Sequence, residues 1–438
     1  MNVKRGSRFF LIVIVFAMFT VLPVMGGGGG EAGETVELTF WSMWNEGEPS
    51  SAVFREWIRD YEKARPGTKV KVVFNGRENQ TKLRTALAGG TKVDLMDQDA
   101  LQVAGGLMVD GMGYALNDLI ADAKALDDQT PFADIFVPGT LEQNVGEDGN
   151  IYLIPYILIT VAFWHDNRTF DNAGVSDPET WQDLMQVCEK IEKSGIAAVA
   201  ADGQADQYLE MYFYHLTQRF EGSGFLLGAV EDRSGEAWVH PSFMKSLDRC
   251  AEIRDKYFIE GWEGFVWPAG QMELAVGNAG MELCGSWLPN ELKASADPEF
   301  EWGGFAFPSV SGGKGKRTDM EAYLLSWLVL KDAPHPEDAF HFINFCMMKE
   351  NQVKMVNESL NASARKGLAW PDVIKDGEQM FAKATATFEG LDWMQSTYSE
   401  YFTTIFRPTL REFWLRQITP EKFISEMKAQ TKKYWETR

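Results

Sequence analysis

Apolar and polar positions change their period repeatedly over the segment from residue 36 to residue 100. Residues 36–40 alternate, which predicts a strand, whereas residues 50–64 carry apolar side chains at helical spacing before Pro66-Gly67. The same reasoning predicts a strand at 69–74, a helix at 81–88 and a short strand at 93–96. Strands that alternate with helices in this way predict a largely parallel sheet covered by helices.

The rest of the chain returns to strands late, after a long helical stretch. The predicted elements are an extended segment at 151–164, a helix from Thr180-Trp181 to 193, a strand at 196–201, mainly helices over 205–295, strands at 305–308 and 323–330, and helices at 336–348, 396–414 and 420–435. This order is natural if the chain crosses several times between two lobes.

The first 35 residues have the pattern of an export signal. Lys4, Arg5 and Arg8 precede an apolar run at 9–22, and small residues follow. A basic start, an apolar middle and a small-residue exit predict a secretory signal peptide at 1–26, followed by a glycine-rich linker at 27–35. The alternative is an uncleaved anchor of a membrane-tethered signalling subunit, although the run is short for a span of about 20 residues. No Cys lies directly after the run, at 23–35, so we expect a soluble periplasmic protein and not a lipoprotein.

The composition of the chain limits its possible binding partners and cysteine chemistry. The formal net charge of −21 disfavours nucleic acid, because an acidic surface repels phosphates. The 15 Trp exceed what a core of this size needs. None of the four Cys has metal-type spacing, so two states stay open: a disulfide such as Cys188–Cys250, or free buried thiols.

No motif for metal, cofactor or covalent catalysis is present. The five His show no zinc spacing, there is no G-x-S-x-G, and the loop at 312–316 lacks phosphate-loop spacing. The acidic pairs Glu46/Glu48 and Asp97/Asp99 are compatible with a secreted glycosidase, but such pairs are more often solvated loop charges. We therefore predict no catalytic residue, no metal and no cofactor.

Seven segments occur in the order found in one known family. They are L-T-F-W at 38–41, Y-E and P-G at 61–67, the helix–glycine segment at 82–95, D-G-N-I-Y-L-I-P-Y at 148–156, T-W-Q-D-L at 180–184, G-N-A-G-M and G-S-W at 277–287, and P-E-D-A at 336–339. Together they cover nearly the whole mature chain. The sequence resembles extracellular solute-binding proteins of carbohydrate ABC importers, the maltose-binding-protein-like family 1.

The resemblance implies an α/β, two-lobed periplasmic-binding-protein fold of type II. Each lobe would be a mixed, mostly parallel sheet flanked by helices, and a hinge of three crossings near 158–162, 316–320 and 360–364 would join them. The implied N-terminal lobe is 36–160 plus 318–361, and the C-terminal lobe is 161–317 plus 362–438. It also implies a monomer that captures a sugar without chemistry and delivers it to an ABC permease.

A sugar site needs aromatic platforms for the C–H face and carboxylates, amides or Arg for the hydroxyl rim. Ligands of α/β sheets bind beyond the carboxyl ends of strands. The rule and the resemblance together select Trp41, Trp44, Asn45 and Glu46 after the first strand, Arg77 and Glu78 after the second, Asp97 and Asp99 after the third, Tyr156 near the hinge, Tyr208, Trp262, Trp267 and Trp287 in the second lobe, and Asn361 and Arg365 at the last crossing.

Each candidate also has a structural interpretation. The aromatic residues could pack in a core, Asp97 or Asp99 could cap a helix, and Arg77 with Glu78 could form a solvated turn. A non-sugar solute such as a polyamine or a peptide is the main alternative ligand. Trp-rich loops argue against a polyamine, which would need several carboxylates around the cleft.

Overall fold

The computed structural model describes residues 35–146 and 148–438. The predicted signal peptide and all but the last residue of the predicted linker lie outside this range. In the described part, ten strands run in the order β2-β1-β3-β8-β4-β6-β5, with β7 and β9 paired to β4 and β10 paired to β8. The strands are β1 Val36–Ser42, β2 Thr68–Phe74, β3 Leu95–Asp99, β4 Leu153–Asp166, β5 Ala197–Val199, β6 Ala279–Gly285, β7 Trp302–Phe305, β8 Asp319–Val329, β9 Ala362–Ser363 and β10 Ala386–Phe388.

Helices cover the sheet and close the chain. They are α1 Pro49–Ala64, α2 Asn79–Ala88, α3 Ala100–Val103, α4 Asn117–Ala121, α5 Asn167–Ala173, α6 Trp181–Lys193, α7 Asp206–Glu221, α8 Phe225–Glu231, α9 Pro241–Tyr257, α10 Ala269–Ala275, α11 Leu288–Leu292, α12 Pro336–Cys346, α13 Lys349–Ser359, α14 Lys375–Ala382, α15 Met394–Thr397, α16 Ser399–Tyr401, α17 Arg407–Trp414 and α18 Pro420–Glu436. Within the described residues, none of these helices has the length and apolar character needed to cross a membrane.

Strand β4 changes partner in its middle. Its first part, up to Thr160, pairs antiparallel with β8, and from Val161 onward it pairs with β6 and β7. On one side of this switch, β1 pairs in parallel with β2 and β3. On the other side, β5 and β6 form a parallel pair. We call the half built on β1–β3 the first lobe and the half built on β5–β7 the second lobe.

Each lobe has a core of its own. The main core of the first lobe packs Phe40, Phe54, Trp57 and Trp327, all 0–1% exposed, with the rings of Phe54 and Trp327 5.2 Å apart. The core of the second lobe gathers side chains from β4, β6, α7, α9 and the C-terminal helices, including Trp414. Two apolar cores in one chain indicate two bodies joined through shared strands.

Most predicted elements are present, but β6 lies in a stretch predicted to be mainly helical. All seven β6 residues are buried, so the strand has no polar face and no alternating signal. The strand expected at 305–308 begins earlier, at Trp302. The disulfide alternative is wrong: all four Cys are free and buried, where they pack as small apolar side chains.

The start of α6 offers a direct test of local stability. Thr180 Oγ1 accepts from Asp183 N at 3.2 Å, and the Asp183 carboxylate accepts from Thr180 N at 3.0 Å, which forms a capping box. We expect Thr180→Ala to lower the free energy of unfolding by about 1 kcal/mol in urea denaturation. The control Thr91→Ala removes an exposed hydroxyl outside any helix, and a loss as large as that of Thr180→Ala would contradict the capping role.

Candidate functional site

A cavity of about 540 Å³ lies between the two lobes. The loops after β1 and β2 and the end of β3 form one wall and contribute Trp44, Arg77 and Asp99. Helix α7, the turn between β6 and α11, and the segment from Gly390 to Arg407 form the opposite wall. The cavity therefore lies at the carboxyl ends of the strands, where the sequence placed the site.

Trp287 is the half-buried indole of this cavity. It follows β6, and its ring lies 6.0 Å from that of Tyr323 and 6.3 Å from that of Tyr208, to which it is inclined by 27°. A Cβ on Gly285 would collide with the Trp287 ring. Glycine at 285 therefore lets the indole fold back over the end of the strand. An indole flanked by two phenols forms an aromatic wall.

Arg77 and two glutamates border this wall. Arg77 donates to Glu48 Oε1 at 3.1 Å and to Oε2 at 3.0 Å, and its Nη2 lies 3.7 Å from Glu291 Oε1. Burial alone would lower the pKa of Arg77, but the two carboxylates raise it above its usual value. Burial raises the pKa of Glu291 to about 7, against the opposing effect of Arg77. The guanidinium also lies 5.0 Å from the centroid of Trp44, which it covers.

Asp97 and Tyr156 lie behind the cavity wall. Tyr156 OH donates to Asp97 Oδ2 at 2.6 Å and accepts from Trp44 Nε1 at 3.1 Å, and Met43 N donates to Asp97 Oδ1 at 3.2 Å. Asp97 and Tyr156 are both 0% exposed, and burial raises the pKa of Asp97 to about 6. These two residues fix the orientation of Trp44 and do not line the cavity.

Three further carboxyl groups lie near the inner end of the cleft. Asp99 and Glu321 line the cavity, and Glu389 lines a neighbouring one of about 990 Å³. Burial raises the pKa of Asp99 to about 6 and that of Glu321 to about 8, and it raises the pKa of Glu389 well above its usual range. Tyr214 OH donates to Glu321 at 2.6 Å.

Of the predicted site residues, seven line the cavity: Trp44, Arg77, Glu78, Asp99, Tyr208, Trp287 and Asn361. Trp267 does not line the cavity but contacts Glu291, which does. Its Nε1 lies 3.1 Å from Gln271 Oε1 and 3.4 Å from Glu291 Oε2. Asn361 is 1% exposed and donates to Ser359 O, while its Oδ1 has no donor among the described residues.

Three other predicted residues lie outside the cavity wall and make structural contacts. Trp262 is 2% exposed and packs edge-on against Phe258 in the core of the second lobe. Trp41 packs in a small core of the first lobe. Arg365 is also buried, and its guanidinium binds Asp127 and Asp128 at 3.1 Å.

Asn45 and Glu46 point to solvent beside the cleft. Asn45 binds Glu48, and Glu46 pairs with Arg55. Both therefore belong to an exposed polar network and not to the cavity wall.

Sequence reasoning missed several cavity residues from distant parts of the chain. Glu291, Glu321 and the ion pair of Glu210 with Arg407, with an Oε1–Nε distance of 2.6 Å, are the main ones. Glu321 had a usable signal, since it is a carboxylate at the start of the mainly apolar run of β8 that follows Asp319. The pairing of Glu210 with Arg407 joins residues 197 positions apart, which no local pattern reveals.

Comparison with known proteins assigns the family. The family model described as bacterial extracellular solute-binding protein matches residues 45–353, and the chain belongs to this family. A probable sugar-binding periplasmic protein of Rhizobium meliloti (strain 1021) is 26% identical over 191 residues, which are 43% of this chain and 45% of that protein. A diacetylchitobiose binding protein of Streptomyces coelicolor is 23% identical over 238 residues, 52% of this chain and 48% of that one. The chain thus spans about half the length of these curated relatives.

Solved structures confirm the predicted fold. A chitin oligosaccharide binding protein superposes with a TM-score of 0.78 at 22% identity, over 92% of this chain and 99% of that one. A solute-binding protein in complex with raffinose gives a TM-score of 0.70 at 18% identity, over 91% and 99%. The chain therefore has the two-lobed α/β fold of extracellular solute-binding proteins.

The buried carboxyl groups make the stability of the ligand-free protein depend on pH. A carboxyl whose folded pKa is raised binds its proton more tightly in the folded state, so stability falls as pH rises from the unfolded value near 4.5 toward the folded value. For Glu321 this window is about pH 4.5 to 8, with a slope of about 1.4 kcal/mol per pH unit. We expect Glu321→Gln to reduce the decrease in the free energy of unfolding with rising pH, measured by urea unfolding from pH 5 to 8.

The control for this experiment is Glu299→Gln, which removes a carboxylate whose side chain is 85% exposed. We expect it to retain the wild-type pH dependence. If the free energies of unfolding of wild type and Glu321→Gln changed with pH in parallel, Glu321 would be ionised in the folded protein. That result would contradict the raised pKa expected from its burial.

Proposed function

We propose that this protein captures a sugar in the cavity between its lobes and delivers it to an ABC permease, without chemical change. The observation that carries the proposal is the half-buried face of Trp287, bordered by Glu291 and Arg77 in a cavity lined by both lobes. The relatives from Rhizobium meliloti and Streptomyces coelicolor are described as sugar-binding proteins, which supports the same ligand class.

The side chains match the two faces of a sugar ring. The C–H face packs on the indole of Trp287, with Tyr208 and Tyr323 beside it. The hydroxyl groups donate to Glu291 and Asp99 and accept from Arg77. Trp44, Glu78 and Asn361 complete the proposed contacts, whereas Asp97, Tyr156 and Trp267 position them.

Capture proceeds by closure of the lobes. A ligand that touches both walls binds the closed form more tightly than the open form and shifts the equilibrium by that difference in affinity. We place the lobe boundaries at 160/161, 317/318 and 361/362. The change of β4 partner between Thr160 and Val161 supports the first of these.

The proposed cellular setting follows from the family and the N-terminal sequence. We propose that residues 1–26 are removed as a signal peptide and that the mature protein is a soluble periplasmic monomer. The absence of Cys at 23–35, directly after the apolar run, supports a protein without a lipid anchor. The closed form then docks on the membrane subunits of the importer.

Binding can be tested with a thermal-shift screen of mono- and oligosaccharides, followed by calorimetry. A ligand at a hundredfold excess over its dissociation constant should stabilise the protein by about 2.7 kcal/mol. We expect Trp287→Ala to weaken binding of the best sugar at least about tenfold, because the apolar platform is lost. The matched control Trp302→Ala removes a half-buried indole of β7 outside the cavity and should leave affinity unchanged.

Other outcomes of the screen distinguish the alternatives. Stabilisation by polyamines or peptides but by no sugar would contradict sugar capture. Release of reducing sugar from an oligosaccharide would indicate a glycosidase. Equal losses of affinity in the Trp287 and Trp302 variants would place the sugar away from Trp287.

A further inference from the structure

A second cavity, of about 990 Å³, lies beside the sugar cavity and is also bordered by both lobes. The first lobe contributes residues within 100–115 and 143–153, and the second lobe contributes the segment 389–397. Leu101 lines both cavities, so they adjoin at its side chain. Ligand sites usually enclose about 300–1,000 Å³, and the two cavities together exceed this range. A ligand that occupies both is therefore larger than one that fills the sugar cavity alone.

The partition between the two cavities is a contact between the lobes. Helix α15 of the second lobe packs on α3 and on residues 104–108 of the first lobe. A Cβ on Gly105 would lie 2.5 Å from Gln395 O, so glycine at this position lets the two backbones meet. Among the described residues, no backbone hydrogen bond joins Gly105 to Gln395 or Ser396. Because the partition belongs to neither lobe alone, opening of the lobes joins the two cavities into one cleft.

Trp393 offers an open aromatic surface to the second cavity. It is the most exposed aromatic side chain in the described part of the chain, at 38%. The phenol rings of Tyr114 and Tyr152 are half-buried and line the same cavity. A Cβ on Gly113 would lie 2.9 Å from a ring carbon of Tyr152, and a Cβ on Gly146 would lie 3.2 Å from another, so the two glycines leave room for this ring. An indole with two phenols provides platforms for the C–H face of a sugar.

The backbone presents Trp393 to the cavity in a strained turn. Leu391, Asp392 and Trp393 have φ values of 60°, 49° and 68°, in the left-handed region that residues other than glycine rarely adopt. Leu391 is buried in the core of the second lobe, and the Asp392 carboxylate accepts from Leu226 N at 2.9 Å, so contacts within this lobe hold the turn. Strained residues of this kind cluster at sites that hold ligands.

The second cavity combines exposed apolar groups with buried polar atoms that lack partners. Of the nine large apolar side chains that are exposed in the described residues, three line this one cavity: Val109, Val145 and Trp393. Exposed apolar groups that gather at one place mark a binding surface. Gln143 and Glu389 line the same cavity, and Gln143 Oε1 and Glu389 Oε2 are buried without a hydrogen-bond partner among the described residues. The hydroxyl groups of a sugar would satisfy both oxygen atoms.

We infer that the captured sugar is an oligosaccharide whose chain extends from Trp287 past Leu101 into the second cavity, where it stacks on Trp393. The inference rests on the proposed function and specifies its ligand class. The second cavity fits a sugar chain better than a purely apolar ligand, because the oxygen atoms of Gln143 and Glu389 need hydroxyl partners beside the aromatic platform. Closure of the lobes then holds the chain at two aromatic platforms, one in each cavity.

The test compares sugars that differ only in chain length. Malto-, cello-, xylo- and chito-oligosaccharides are titrated by calorimetry from the monosaccharide to the longest soluble member of each series. In the series that binds, we expect the longest member to bind at least about tenfold tighter than its monosaccharide, because it adds a second stacking contact and further hydrogen bonds. The gain in affinity should come as a step, at the length at which the chain reaches Trp393.

Variants identify the second cavity. Trp393→Ala should remove the step, so that the longest member binds about tenfold more weakly than to the wild type, while Trp393→Phe should keep most of the step because a ring remains. Trp287→Ala should weaken binding at every length, and the control Trp302→Ala, outside both cavities, should change nothing. Tyr152→Ala tests the same step from the first lobe. Because the readout is the ratio of two affinities for one variant, a general loss of stability does not imitate the result.

Each outcome decides one question. A monosaccharide that binds as tightly as every longer member of its series overturns the inference and leaves sugar capture intact. A preference for long chains that survives both Trp393→Ala and Tyr152→Ala overturns the assignment of the second cavity. Binding of peptides or spermidine with no response to any sugar overturns both the inference and the proposed function.

Discussion

Strands β4 and β8 pair antiparallel from Leu153 to Thr160, and both continue beyond this ladder toward the second lobe. This shared pair joins the sheet of the first lobe to that of the second, because β4 takes up β6 and β7 immediately after Val161. Because two paired strands join the lobes, the lobes can rotate relative to each other only about a short part of these strands. The position of the cavity follows from this constraint, since the strand ends of both lobes face each other across the shared pair.

The cavity is chemically unusual for the interior of a protein. Ionisable groups surround it, and every arginine in its wall already has a carboxylate partner. Buried acids without a cation cost free energy unless they are protonated, and such groups are common at functional sites. The raised pKa values of the acids in this cleft therefore support a binding role together with the aromatic wall.

The sequence pattern predicted those elements that interactions between neighbouring residues determine. Helix α1 and strand β2 end within two residues of the predicted positions, because an apolar stripe and a Pro-Gly pair specify them. The strand-end rule selected Arg77 after β2 and Asp99 at the end of β3, and both line the cavity. The hydrophobic pattern did not reveal strand β6, because both of its faces are buried. Trp262 was selected for its glycine-rich loop, yet packing against Trp414 keeps it in the core.

Contacts between distant segments set the rest of the site. Glu291 reaches Arg77 across the cleft, and Glu321 on β8 accepts a hydrogen bond from Tyr214 on α7. Neither of these two contacts could be predicted from the sequence alone. A crystal structure with the tightest-binding sugar tests the central claim most directly. The account predicts a sugar ring on the face of Trp287, with carbon atoms within about 4 Å of the indole and both lobes in contact with the ligand. A sugar bound to one lobe only, or away from Trp287, would contradict it.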